Sequence, residues 1–233
     1  MQEFMDGDFD PNADIEGNLI TIIGSAFYQP IADLIGKLAA RKPNPPDGPN
    51  IGHYENGYCA SIVILLVLAF ESYISRMSYL HHRKTGENRT KKLQTHLYIQ
   101  QLDPEFPLLE DLQDVYVVRD SLAHGHLWSV DYVIWHDYTE VTKREPFEGF
   151  GDEKMRKRVD LDTGKTKHLG CNVLPTSIGV RDAATVFRVL AMSLDRLVKV
   201  GLIEQAAVRG HARYDNKTVQ FWSLNAVLTD VAA

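Results

Sequence analysis

The chain is poor in features that would mark it for export, for a bilayer or for oxidising surroundings. It has two cysteines, Cys59 and Cys171. They lie far apart and Cys59 opens an apolar run, so a reducing cytoplasm is the expected location. The first ten residues, MQEFMDGDFD, hold no Lys or Arg, and a secretory signal needs a basic start. The longest apolar run, Ala60–Phe70, is interrupted by Ser61 and ended by Glu71. A bilayer span needs roughly 17–25 residues, so no membrane partner is expected. Positive charge is also scarce: 25 Lys and Arg stand against 31 Asp and Glu, a net charge of −6. That balance argues against a surface built for indiscriminate nucleic-acid binding, though it leaves room for a local basic cleft.

Several site chemistries are missing too. No Gly-x-Ser-x-Gly elbow occurs, so a serine hydrolase is unsupported. Gly164–Lys165–Thr166 has the end of a P-loop, but Val159 stands where its first glycine belongs and no strand-to-helix switch follows. His124 and His126, with His136 nearby, lack a clear third ligand. Neither a metal nor a cofactor is expected.

What is present is 44% hydrophobic sequence arranged mostly at helical period. Residues 1–13 read as an acidic arm. A first helix is expected over Ile15–Ala40, kinked at Pro30 or split near Tyr28. The Pro-, Gly- and Asn-rich stretch Lys42–Gly57 reads as a loop. A second helix, Tyr58–His82, is apolar all round in its first half and should be buried on several sides. His81–Lys92 is a polar connector, followed by a short helix over Leu93–Leu102 and a new helix capped at Asp103–Pro104. Residues 129–176 form a β-rich insertion, with a hairpin turning at Gly164. Ser177–Gly201 is a helix closed by glycine. The tail, 202–233, offers one strand at Thr218–Trp222 to the insertion's sheet and frays over Ala226–Val231. The fold class is mainly α, with a helical bundle over 14–128 and 177–201.

The stretch Val115–Trp128 is the most informative. Leu108, Leu112, Val115, Val118 and Leu122 recur every three or four residues, and Gly125 follows as a helix stop. Near its end stand Arg119, Asp120 and His124. Positions four apart share a helix face, so Asp120 reaches His124 and fixes its tautomer. Positions five apart diverge by about 140°, so Arg119 and His124 converge on one phosphate only through a distorted helix end or a second subunit. Arg119 and His124 also suit a bland reading, as cations that complement the dipole at a helix C-terminus.

Arg119–Asp120–x–x–x–His124 resembles the signature of the HEPN superfamily: an Arg, a polar residue directly after it, and a His beyond four to six residues. Ala69–Phe70–Glu71–Ser72–Tyr73–Ile74 also resembles the long helix preceding the motif helix in that family. The resemblance covers Tyr58–Trp128 and, through bundle topology, Ser177–Gly201. It implies a metal-independent endoribonuclease with Arg119, Asp120 and His124 as catalytic residues, with His126 and Glu71 auxiliary. A homodimer is implied with it, in which two motifs line one cleft. It further suggests a toxin or antiviral effector with an antitoxin or defence-system partner. The alternative it leaves is an inactive dimerisation or nucleotide- or RNA-binding module. Arg83, Lys84, Arg89, Lys91 and Lys92 in the connector, and Lys154, Arg156, Lys157 and Arg158 in the insertion, are the residues suited to steering RNA.

Overall fold

A computed structural model describes residues 23–41, 52–85, 95–124, 128–135, 139–146 and 153–232. The architecture is mainly helical, with small strand pairs. The acidic arm, the start of the first expected helix and most of the loop at 42–57 lie outside the described residues.

The central strut is α2, His53–Thr85. By length and apolar composition it is the one described helix able to cross a membrane. Its apolar side chains are instead spent on packing: Ile62, Val63, Leu66, Val67, Phe70 and Ile74 are buried. Around it lie α1 (Tyr28–Arg41), α3 (Thr95–Leu102), α4 (Leu109–Ala123) and α6 (Val180–Lys199), all in contact with it. A helix apolar on every side is stable in water only when so enclosed. α1 follows a single 3-10 turn, Gly24–Phe27, and takes Pro30 in its first turn, where no backbone donor is lost.

The helix expected to begin at Asp103 begins six residues later. The Asp103 N–H closes α3 by donating to the Ile99 carbonyl, 2.8 Å. Its carboxylate accepts from Arg196 Nε at 2.9 Å and Nη2 at 3.2 Å. A tertiary partner thus takes the side chain that would have capped a helix locally. The Arg196 guanidinium holds the Asp103 carboxyl below the usual carboxylate range. The stability it brings is complete above the unfolded-state value near 3.9 and is lost as pH falls through the depressed folded-state value. Asp103→Asn should therefore lower the melting temperature at pH 7, and the gap to the parent should close below about pH 4. A gap independent of pH would show that the pair contributes nothing.

Strands lie between α4 and α6, but as separate two-stranded ribbons rather than one sheet. β1 (Trp128–Ile134) pairs with β2 (Thr139–Pro146). A short helix, α5 (Glu153–Arg158), leads into β3 (Val159–Asp160) and β4 (Lys165–Thr166), and the turn between these strands has Gly164 at φ 65°. The basic run Lys154–Arg158 is thus helical. α6 begins with the Gly179 N–H bonded to Asp182 Oδ2, 2.9 Å, and the Val180 N–H bonded to Glu55 Oε1, 3.0 Å. Burial pushes the Asp182 carboxyl up, while its bonds from Gly179 and Asn172 pull the other way. Gly201, at φ 76°, ends the helix, and the Leu202 N–H returns to the Leu197 carbonyl.

The tail differs from expectation in two ways. The strand near Thr218–Trp222 is β6 (Lys217–Gln220), and it pairs with β5 (His211–Tyr214), not with the insertion. Their two-residue turn, Asp215–Asn216, has φ of 48° and 61°, the pattern of a tight hairpin. The segment expected to fray is α7 (Leu224–Ala232), packed on α1 and α6 with Leu228 fully buried. An aromatic cluster explains why. The Tyr28 ring stacks on Phe221 at 3.9 Å between centroids, and its hydroxyl meets Tyr73 at 2.7 Å and donates to the Ala207 carbonyl at 3.0 Å. Gly210 lies against the edge of that ring, and an added Cβ there overlaps it. Held by Phe221 on its face and by its hydroxyl bonds at its tip, Tyr28 cannot swing aside. Gly210→Ala should cost about 1–3 kcal/mol, read as a lower melting temperature. An unchanged melting temperature would mean the cluster has slack.

Candidate active site

α4 presents two contrasting sides. Leu112, Val115 and Val118 are fully buried, which fixes the helix's rotation about its axis. The same rotation turns Arg119 towards α2. There Arg119 Nη2 donates to Glu71 Oε1 at 2.9 Å, and Nη1 donates to Asp120 Oδ1 at 2.9 Å. All three side chains are about one quarter exposed, so the cluster sits at a surface rather than in the core. The guanidinium also lies 5.4 Å from the ring centroid of Tyr116, three residues earlier on the same face. Burial pushes the Tyr116 phenol up, leaving it a neutral floor under the cation.

His124 stands at the end of the helix, exposed, with its N–H bonded to the Asp120 carbonyl at 3.0 Å. Glu71, which the sequence offered as an auxiliary residue, is in direct contact with Arg119. Asp120, which helical spacing placed beside His124, gives one carboxylate oxygen to Arg119. Tyr116 was overlooked in the sequence, although an aromatic residue at i−3 from an arginine is a recognisable helix-face pair.

The residues suited to steering RNA divide sharply. Arg158 is committed to the fold: its guanidinium meets Glu110 Oε2 at 2.6 Å, Asp114 Oδ1 at 3.3 Å and the Gln113 side-chain oxygen. Arg156 and Lys157 are exposed on α5. Arg83 and Lys84 lie on the last turn of α2 and Lys154 on α5, in backbone position only. Arg89, Lys91, Lys92 and His126 lie outside the described residues.

Chemically, the cluster is a delocalised cation held in plane by two carboxylates, beside an imidazole open to solvent. Partly exposed ion pairs at a surface of this kind are worth about 0–1 kcal/mol each. An arriving phosphate can therefore replace one carboxylate on the guanidinium at little cost, and gains a two-pronged grip. No family model matches the chain, and no curated protein or solved structure matches it either. The functional reading rests on the residues themselves.

Proposed function

We propose that this protein is a metal-independent endoribonuclease of HEPN type, acting as a homodimer. The observation that carries the reading is the Arg119 guanidinium, oriented by Glu71 and Asp120 and five residues before the exposed His124. His124 takes the proton from a ribose 2′-hydroxyl. The 2′-oxygen attacks the adjacent phosphorus, and the bond from phosphorus to the 5′-oxygen breaks. A proton returned to that oxygen completes the step, leaving a 2′,3′-cyclic phosphate and a 5′-hydroxyl. Arg119 holds the charge that develops on the phosphate oxygens. The attacking group belongs to RNA and not DNA, so the chemistry selects its own substrate.

Incubating the protein with total RNA in the presence of a chelator, and mapping the fragment ends, tests this directly. Cyclic phosphate ends are the expected product. Intact RNA, or fragments with 3′-hydroxyl ends, would turn the reading aside. A second reading, a catalytically inactive dimerisation or RNA-binding module, is favoured by one feature: Arg119 already bridges α4 to α2, as a structural arginine does.

A further inference from the structure

The ribbon of β1 and β2 follows the end of α4 after four residues, and among the described residues its strands pack chiefly against each other. A two-stranded ribbon standing alone in water is marginal. This one also carries apolar side chains on both faces. Tyr132 (54% exposed) and Ile134 (72%) share one face, Val133 (41%) and Trp135 (50%) the other. A strand apolar on both faces belongs inside a sheet covered on both sides.

The two outer edges are unlike. β2 carries Glu140, Lys143, Arg144 and Glu145 and ends at Pro146, the composition of an edge guarded against further pairing. β1 has a single charge, Asp131. Its edge is the open one. A nucleic acid suits it poorly: residues 128–146 hold four carboxylates (Asp131, Asp137, Glu140, Glu145) against two cations (Lys143, Arg144), and such a ribbon repels a polyanion.

We infer that the open edge of β1 pairs antiparallel with β1 of a second copy, about a two-fold axis at Tyr132. The strand is suited to meeting itself. Two-fold antiparallel pairing sets one residue against its own copy. Centring on Asp131 would oppose like charges. Centring on Tyr132 uses the strand fully, with ring beside ring on the axis. Val130 then faces Ile134, Asp131 faces Val133, and Ser129 faces Trp135. The product is a four-stranded sheet, β2–β1–β1–β2, spanning both copies. The half-exposed rings of two Tyr132 and two Trp135 residues, each about 150–250 Å² in full, bring roughly 400 Å² to the contact. That lies well below the ~1,200 Å² of a stable interface, so the association is a weak one that a single added charge suffices to break. The inference rests on the dimeric form of the proposed enzyme and not on its chemistry.

The test uses the full chain. Cys59 and Cys171 are buried, so in Tyr132→Cys the new thiol is the accessible one. A short bismaleimide should yield a covalent species of twice 26.3 kDa. Leu161→Cys, also exposed, on the β3–β4 turn, should remain a single chain. Ile134→Lys should raise the dimer dissociation constant at least tenfold by sedimentation and leave the melting temperature of dilute protein unchanged. The inference falls if Tyr132→Cys does not cross-link, or if the parent stays monomeric to about 100 µM. It also falls if Ile134→Lys leaves the dimer intact, in which case the motif helices hold the copies together and the proposed function stands. Weakened binding of labelled single-stranded RNA by Ile134→Lys, with the assembly unchanged, would assign the ribbon to RNA instead.

Discussion

Replacing His124 by alanine should reduce RNA cleavage by about 10²–10⁴-fold, the loss typical of a missing general acid–base. The melting temperature should hardly move, because His124 is exposed and its backbone N–H bond to the Asp120 carbonyl survives the change. Arg119→Lys should be as inactive. An ammonium keeps the charge but cannot face Glu71, Asp120 and a phosphate from one plane. Asp120→Asn should do less, since an amide oxygen still accepts from Arg119. The informative comparison is rate beside melting temperature for the same variants. A structural Arg119 would lower the melting temperature in Arg119→Lys and leave any cleavage by His124→Ala intact. That pattern would select the binding-module reading.

The largest loss of stability is expected away from the site, at Asp114. This carboxylate is fully buried near the start of α4. One oxygen accepts the N–H groups of His168 and Leu169 at 3.0 and 2.9 Å, and the other faces Arg158 at 3.3 Å. Asp114→Ala strands two backbone donors and removes the one fully buried counter-charge of the Arg158 guanidinium, leaving it Glu110 and Gln113. The cost should be about 3–5 kcal/mol, a fall in melting temperature on the order of 10 °C. Asp114→Asn, with its oxygen towards His168 and Leu169, keeps both of those bonds but turns an NH2 group towards Arg158, and should lose about half as much. If thermal unfolding shows Asp114→Ala to be as stable as the parent, the hairpin after α5 is not anchored through this residue.

Helices were legible wherever burial follows a period. α2 and α6 lie close to where their apolar stripes placed them, and glycine ends α6 as its position suggested. Boundaries set by tertiary partners were not legible. Asp103 has the sequence of a cap and the role of a salt-bridge anchor, because Arg196 lies 93 residues away in the chain. The tail misled for a similar reason. Phe221 and Trp222 look like strand residues until the aromatic rings of Tyr28 and Phe187 surround them. At the candidate site, spacing along one helix named Arg119, Asp120 and His124. Glu71 could be named as a residue able to face Arg119 across the helix pair, with a solvated surface position as its other reading, because no local pattern fixes the relative rotation of two helices; the structure has the contact. Arg158 illustrates the converse: a basic run on paper, it is a buried counter-charge in the fold.

The stack of Tyr28 on Phe221 also bears on how the chain comes together in time. These two rings are far apart in sequence, and the Tyr28 hydroxyl reaches a carbonyl 179 residues away. Contacts of such long range close loops whose entropy must be met before any return, and they form late. A nascent chain still lacking Phe221 therefore presents α1 and α6 with an uncovered apolar seam, however well α2 and α4 have already met. Glu71 and Arg119 belong to the part that can assemble early. The hairpin of β5 and β6 and the helix after it are the closing clasp, so the core cannot close until they have been made.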